Sequence, residues 1–247
     1  MDKVKSMRVN LLRVTKDGLE LIANAARVSG FSDKVDTRSI AKMIVDNDYS
    51  SVLEHIYFTF DIEDISVALS RELLEHRIAS HTARSTRYNE EDSFGYYIPR
   101  EIRRDKNALK AFKRAMERAN DAYKQLRVLG FKREEARYVL PMALHTRYVV
   151  TMNVRSLINF FMLRLCVRAA PEMRELAKKM YKLCLDAYPT IFEHIWCRGV
   201  TLGVCPENDA RPVTCPFREI VFNKNDTKFG VEEAVREIIH KDLRRRK

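Results

Sequence analysis

The sequence predicts an α+β fold, in which a mixed or antiparallel sheet packs against long helices in a single domain with a Cys/Pro-containing C-terminal extension. Strand patterns and helix patterns alternate at irregular intervals, which favours α+β over a doubly wound sheet. The chain has 247 residues, of which 46% are hydrophobic, so it can bury a core. Only 7 Gly and 7 Pro argue against a disordered or collagen-like chain. We place the domain at residues 1–195 and the extension at residues 196–247.

In the first part of the chain, Met7–Val14 predicts a strand, and GLELIANAARVSGF after it has helical spacing. Asp36 is a candidate N-cap for an amphipathic helix over Asp36–Asp48. Ile56–Ile62 alternates aromatic and β-branched residues and predicts a strand. EDISVALSRELLEHRI predicts a helix, whereas ASHTARSTRYNEED loses periodicity and predicts a loop.

The second part is more helical. Lys106–Gly130 predicts a long amphipathic helix with a C-cap glycine, and KREEARYVLP predicts a short helix stopped by Pro141. TRYVVTMNV predicts a strand, and two helices are predicted over RSLINFFMLRLCV and APEMRELAKKMYKLCLDAYPTIFEHIW. A tail rich in Pro and Cys then leads to a terminal helix, VEEAVREIIHKDLRRRK.

The formal net charge is +11, which fits either a solvated basic surface or an anionic partner such as a nucleotide, a phosphate cofactor or nucleic acid. A nucleic-acid-binding protein is therefore an alternative from another class. The arginines cluster around apolar segments, and no RNA-binding aromatic signature is present, so no nucleic acid is expected. We find no secretory signal and no run long enough to cross a bilayer, and we expect a soluble cytoplasmic protein.

One group of candidate anion ligands lies in the predicted loop. Arg77, Arg84 and Arg87 carry planar guanidinium groups that bind phosphate or carboxylate through paired hydrogen bonds. Hydroxyl donors surround them: Ser85, Thr86 and Tyr88. The alternative is a solvated basic loop. His76 also has two interpretations. It is either a functional residue or a histidine that packs at the end of a helix, where the helix dipole favours its charged form.

A second group is embedded in an apolar segment: Arg147, Asn153, Arg155, Asn159, Arg164 and Arg168. On a helix Arg155 and Asn159 share one face, and Arg164 and Arg168 would share another. Polar groups in such surroundings must be paired if they are buried. The alternatives are internal salt bridges to Glu172 or Glu175, or a ligand site, which several fixed polar groups favour.

These segments resemble the flavin-dependent thymidylate synthases. EHRIASHTARSTRY is similar to the family signature, an Arg-His-Arg triplet and, after seven intervening residues, a serine. The triplet is Glu75-His76-Arg77 here, and the serine is Ser85. The resemblance extends, in order, through AARVSGF, SSVLEHIYFTFDI, YIP, EEARYVLPMALHTRYVVTMNVRSLINFFMLRLC and APEMRELAKKM, and covers roughly residues 8–195.

The resemblance implies a flavin-dependent methyltransferase of nucleotide biosynthesis, a homotetramer with FAD and nucleotide at its subunit junctions. It implies methylation of dUMP to dTMP, with methylenetetrahydrofolate as carbon donor and NADPH as reductant of the flavoprotein. In this family no cysteine attacks the pyrimidine. An arginine near the uracil helps to ionise N3, and the reduced flavin supplies hydride.

The resemblance also assigns residues. It places the catalytic arginine, which also binds substrate, at Arg164. The substrate positions are Glu72, Glu75, Ser85, Thr86, Arg87 and Arg147, and the FAD positions are Ser51, Glu75, His76, Arg77, Asn153, Arg155 and Asn159. No metal ligand is expected.

Several positions depart from the family pattern. Glu75 replaces the first arginine of the triplet, Glu72 replaces a glutamine, and Ala83 replaces an acidic residue. Thr86 replaces a small residue, and Arg84 is an added cation. A carboxylate in contact with a phosphate costs about 1 kcal/mol in bulk water and about 4 kcal/mol near a protein surface.

Two hypotheses follow from these departures. In the first, Glu75 pairs with Arg71 or Arg84 and the pocket still takes dUMP, since the number of local cations is unchanged. In the second, the substrate is a different pyrimidine nucleotide or another small molecule with a donor group for Glu72 and Glu75.

All five cysteines lie beyond residue 165. His194, Cys197, Cys205 and Cys215 have the residue types of a tetrahedral zinc site, but their spacing is not a paired C-x-x-C pattern. Free thiols or one disulfide are therefore favoured over a metal site.

Overall fold

The computed structural model describes residues 5–207, 210–220 and 233–244. It confirms the α+β fold, with an antiparallel sheet of four strands in the order β1-β2-β4-β3. The strands of this described part are β1 (Arg8–Val14), β2 (Tyr57–Ser66), β3 (Ser80–Ala83) and β4 (His145–Asn153). None of the helices within these ranges combines the length and the apolar character needed to cross a membrane.

The helices account for most of the remaining regular structure. They are α1 (Gly18–Val28), α2 (Thr37–Asp46), α3 (Val67–Leu74), α4 (Arg100–Arg104), α5 (Lys106–Val128), α6 (Arg133–Ala136), α7 (Val154–Arg164), α8 (Pro171–Ala187), α9 (Pro189–Phe192), α10 (Arg198–Leu202) and α11 (Glu233–Arg244). Short 3₁₀ turns cover Val52–His55 and Arg137–Val139.

The predicted helix starts and stops have local causes. The carboxylate of Asp36 accepts hydrogen bonds from the backbone N–H groups of Arg38 and Ser39, both at 3.0 Å, and so caps α2 as predicted. Asp105 caps α5 in the same way. Gly130 follows the end of α5 with φ near +90°, a conformation that glycine adopts without strain.

Two predictions around β2 and β3 were wrong. Residues 63–66, predicted as helix, extend β2, and α3 begins only at Val67 after its N-cap Ser66. Ser66 Oγ accepts from the Leu69 N–H at 2.9 Å. The predicted loop contains β3, whose mostly exposed residues lack alternation, so that pairing with another strand and not local pattern makes it a strand.

The helical boundaries near the C-terminus also differ. Pro189 cannot continue α8, so the predicted long helix is divided into α8 and α9. Helix α7 ends at Arg164, and Arg168 therefore does not share a helical face with it. Of the predicted terminal helix, residues 231–232 and 245–247 lie outside the described residues.

The chain divides into two compact units. The first unit consists of Met1–Asn10 and Phe60–Val150, and the second of Leu11–Thr59 and Thr151–Lys247. The core of the first unit includes Phe94, Tyr96, Ile98, Met116 and Leu144. The second unit has an aromatic core of edge-to-face pairs that includes Phe58, Phe161, Tyr181, Phe192 and Trp196. The boundary predicted after residue 195 stays a prediction.

Candidate functional site

In the first unit, four candidate residues lie in or directly after the last turn of α3: Glu72, Glu75, His76 and Arg77. Glu75 is the C-cap of α3, and its N–H donates to the Glu72 carbonyl at 3.3 Å. Glu75 and Arg77 are exposed, and Glu72 and His76 are half-buried. A ring nitrogen of His81, Nε2, lies 3.0 Å from the His76 carbonyl oxygen. The segment thus presents carboxylates and a guanidinium to solvent within one helical turn.

Within the part of the chain that the structure describes, the glutamates of this segment make no ion pair. Arg84, one predicted partner of Glu75, pairs instead with Glu91, with Nε 2.9 Å from Oε1. Across the described ranges, neither Glu72 nor Glu75 makes an ion pair with Arg71 or any other cation. The predicted pairing of Glu75 is therefore wrong, and its negative charge is not offset locally.

The next candidates form a turn after β3. The Arg87 N–H donates to Ser85 Oγ at 3.2 Å, and Asn89 Nδ2 donates to the Ser85 carbonyl at 2.8 Å. Thr86 between them is half-buried. Arg87 donates through Nε and Nη2 to Glu134 Oε2, at 3.3 and 2.9 Å. The hydrogen bonds that Arg87 donates to Glu134 raise the pKa of Arg87, so its guanidinium stays charged.

Glu134, the carboxylate that accepts from Arg87, was not predicted from the sequence. It lies in α6, whose pattern predicts only a short helix, and nothing in that pattern points to Arg87. Glu90 adds two further contacts, because its carboxylate lies 3.5 Å from Arg127 Nε and 3.4 Å from Arg133 Nη2. Ion pairs thus connect the segment 84–91 to α6 and to the end of α5.

The sixth substrate candidate, Arg147, lies on β4. Its Nε and Nη2 donate to the two carboxylate oxygens of Asp61 at 2.8 and 2.7 Å. Asp61 is only 4% exposed, and Glu63 Oε1 lies 3.6 Å from Arg147 Nε. The hydrogen bond to Asp61 raises the pKa of Arg147. An anionic ligand would therefore compete with a buried, bidentate carboxylate for this guanidinium.

In the second unit, four predicted flavin residues surround the start of α7. Asn153 is its N-cap: Oδ1 accepts from the Ser156 N–H at 2.8 Å, and the residue is 6% exposed. Arg155 and Asn159 lie one turn apart and are exposed. Arg155 Nη1 donates at 2.5 Å to Glu54, which belongs to the 3₁₀ turn directly after Ser51.

The donor chemistry of this cluster fits a flavin nucleotide. Asn153 uses Oδ1 in the cap, which leaves its Nδ2 hydrogens for a ligand. With the exposed amide of Asn159, the guanidinium of Arg155 and the hydroxyl of Ser51, the cluster supplies donors for ring carbonyls and a pyrophosphate. Its nearest carboxylate, Glu54, is already neutralised by Arg155.

The catalytic candidate Arg164 is the last residue of α7 and is half-buried. Arg168, beyond the helix, does not pair with Glu172 or Glu175. Its Nε and Nη2 donate to Glu207 Oε2 at 3.0 and 2.6 Å. The internal salt bridge of the sequence analysis is thus present, but with a partner almost forty residues further along the chain.

The cysteine thiols give little sign of nucleophilic chemistry. Burial raises the pKa of Cys197 to about 12 and that of Cys184 well above its usual value. Both thiols are therefore neutral near pH 7, and the thiolate is the reactive form.

Comparisons with known proteins agree on one family. The family model for thymidylate synthase complementing protein matches residues 10–190. Over 228 residues the chain is 38% identical to the flavin-dependent thymidylate synthase of Pyrococcus abyssi, which covers 85% of this chain and 93% of that protein. It is 39% identical over 213 residues to the protein of the same name from Geobacter sulfurreducens, with 81% and 91% covered. The protein of that name from Nitratidesulfovibrio vulgaris is 35% identical over 225 residues, with 82% and 92% covered.

Proposed function

Because this chain belongs to the thymidylate synthase complementing protein family, we propose that it methylates dUMP reductively to dTMP with FAD as cofactor. The observation that carries the proposal is the match over residues 10–190, which includes both arginine groups described above. Methylenetetrahydrofolate and NADPH are the proposed co-substrates. We also propose a homotetramer that works in the cytoplasm.

The bound flavin supplies the redox chemistry in this proposal. Two sets of residues are proposed for flavin binding, and each lies within one unit: the donors around α7 in the second unit, and the segment after α3 in the first. The first set is Ser51, Asn153, Arg155 and Asn159, and the second is Glu75, His76 and Arg77. The exposed guanidinium groups of Arg77 and Arg155 suit the pyrophosphate, because an arginine fork matches two phosphate oxygens.

Ser85, Thr86 and Arg87 hold the nucleotide in this proposal, since they combine hydroxyls and a cation in one turn. When a phosphate binds, Arg87 exchanges Glu134 for the ligand. Arg147 has a stronger internal partner than Arg87 has, because Asp61 is buried. We propose that Arg147 lies beside the nucleotide and that Asp61 holds the guanidinium of Arg147 in its orientation. Arg164 binds the uracil and stabilises negative charge at N3.

A second candidate function follows from the residues proposed to lie near the phosphate of the nucleotide. Glu75 is exposed and unpaired, and Glu72 lies one turn before it. A ligand with a hydrogen-bond donor at this place would satisfy both carboxylates, whereas a phosphate would be repelled. A related pyrimidine nucleotide is therefore the alternative substrate class.

A two-step experiment tests the proposed function. The visible spectrum of the purified protein, with and without added FAD, reports flavin binding. Tritium release from 5-tritiated dUMP, with NADPH and methylenetetrahydrofolate, then reports the reaction. We expect bound flavin and tritium release. A protein that binds no flavin would contradict the enzyme proposal, and reducible flavin without tritium release would contradict dUMP as the substrate.

Replacement of Glu75 tests the phosphate end. Since the change to arginine removes one negative charge and adds one positive charge, we expect Glu75→Arg to tighten dUMP binding at least tenfold, with Glu75→Gln intermediate. The control is Glu117→Arg, which makes the same charge reversal on the exposed surface of α5. Unchanged dUMP affinity in Glu75→Arg would show that the phosphate does not lie near Glu75.

A further inference from the structure

Four of the five cysteines meet at one small cavity in the second unit. Cys166, Cys197, Cys205 and Cys215 line a cavity of about 20 Å³. The sequence spacing had grouped the last three with His194. His194 does not line this cavity and lies with Nε2 3.2 Å from Glu193 Oε1. The fold thus exchanges the histidine for Cys166, which no local spacing could connect to the tail.

The four thiols come from different places in the chain. Cys166 lies two residues beyond the end of α7, and Cys197 directly precedes α10. Cys205 and Cys215 lie in irregular segments further along the chain, each next to a turn. A volume near 20 Å³ holds one atom or one small ion and excludes an organic ligand.

Backbone N–H groups are directed at two of the sulfurs. Val200 and Gly199 hydrogen-bond to Cys197, and Phe217 hydrogen-bonds to Cys215. A neutral thiol is a weak acceptor and has little need of such donors. A metal-bound thiolate does need them, because hydrogen bonds to ligating sulfurs spread their negative charge and fix their orientation.

The charge around the cavity points the same way. Arg168, Arg174 and Arg211 line it together with the carboxylate of Glu207. Glu207 pairs with Arg168 and Asp242 pairs with Arg174, so two of these guanidinium groups already hold a carboxylate. A divalent cation held by four thiolates carries two negative charges, and guanidinium groups beside it would stabilise that charge.

We propose that Cys166, Cys197, Cys205 and Cys215 form a tetrathiolate site for a borderline-soft divalent cation of the zinc class. Each thiol releases one proton as the cation binds, so four protons leave and four metal–sulfur bonds form without any change of oxidation state. Within residues 5–207, 210–220 and 233–244 no three such groups are already at metal-binding geometry. Binding of the cation would require each sulfur to lie about 2.3 Å from the metal.

The site would serve as a clamp on the tail. Residues 203–207 and 210–217 consist largely of turns, yet they end at Phe217, which is 2% exposed. One metal joins these turns to the end of α7, the helix whose last residue is Arg164. The proposed function does not depend on this metal, and metal binding is measurable without catalysis.

The test measures metal on the full-length protein purified under reducing conditions. We expect about one zinc per chain by mass spectrometry of metals, after addition of Zn²⁺ and removal of the excess. Cobalt substituted for zinc should give the intense visible bands of a tetrahedral site and sulfur-to-cobalt charge transfer in the near ultraviolet. Reduced wild-type protein that binds no zinc, or an octahedral cobalt spectrum, would overturn the proposal.

Variants identify the ligands. We expect Cys205→Ser to bind zinc at least tenfold more weakly than wild type in competition with a chromogenic chelator. The matched control is Cys184→Ala, because Cys184 is buried in α8 and does not line the cavity. Equal loss of zinc in both variants, or a native disulfide between any two of the four cysteines, would refute the assignment. If Cys205→Ser does not fold, the cobalt spectrum of the wild type decides.

Discussion

Asn153 has two roles that substitution separates. Its Oδ1 caps α7 through the Ser156 N–H at 2.8 Å, and we propose that its Nδ2 donates to FAD. Loss of such a cap costs roughly 1 kcal/mol, in a range of about 0.5–2 kcal/mol. Loss of one hydrogen bond to a neutral flavin atom costs about 0.5–1.5 kcal/mol, equivalent to a roughly 2- to 13-fold weaker Kd.

Three substitutions at this position have different expected outcomes. Asn153→Ala removes both groups, so unfolding free energy and FAD affinity should both fall. Asn153→Ser keeps a capping oxygen, so only FAD affinity should fall. Asn153→Asp keeps the cap and favours the helix dipole by about 0.3–1 kcal/mol, but its charge opposes the FAD pyrophosphate. It should therefore be the most stable of the three and the weakest in FAD binding.

Urea unfolding of the flavin-free protein gives the first quantity, because bound FAD would itself stabilise the fold. Flavin fluorescence titration gives the second. Asn159→Ala is the control, because this residue is exposed within α7 and alanine favours helix, so stability should be kept. If Asn153→Ser binds FAD as the wild type does, Asn153 is a capping residue only, and the proposed flavin contact is wrong.

Two further predictions concern stability. Asp242 of α11 is 6% exposed and lies 2.6 Å from Arg174 and 2.9 Å from Lys178. Asp242→Asn should lower the unfolding free energy by about 3 kcal/mol in urea titrations, whereas the exposed Asp186→Asn should change it by less than about 0.5 kcal/mol. Burial lowers the pKa of His145, so only the unfolded chain gains its proton as pH falls below about 6.5. The free energy of unfolding should therefore decrease as the pH falls, and it should decrease less steeply in His145→Gln than in the wild type.

The elements with strong local signals were predictable. Examples are the Asp36 cap, the alternation in β2 and the amphipathic pattern of α5. In each of them the local sequence and the tertiary contacts favour the same secondary structure. Strand β3 was not predictable, because its exposed residues become a strand only by joining the sheet. The extension of β2 was missed for a similar reason: an apolar residue such as Ile65 fits a buried strand as well as a helix.

The candidate residues were predictable as residue types, but their partners were not. Arginine in an apolar segment implies a nearby carboxylate, yet Asp61, Glu54 and Glu134 are between 47 and 101 residues away from the arginines that they bind. The thiol cavity shows the same limit, since Cys166 joins the tail cysteines only through the fold. Spacing in sequence finds groups on one element and misses groups that several elements bring together.

These partners change how anion binding should be understood. In the described part of the chain Arg87, Arg147 and Arg155 each already hold a carboxylate. A phosphate that binds one of them replaces an existing anion, so the gain in affinity is the difference between two similar interactions, while the orientation of the guanidinium is fixed beforehand. Selectivity then depends on the charges that are not paired. Glu75 makes no ion pair within the described residues, and under the proposed function it would oppose a phosphate. We therefore propose that the nature of the nucleotide depends on Glu75 more than on these arginines.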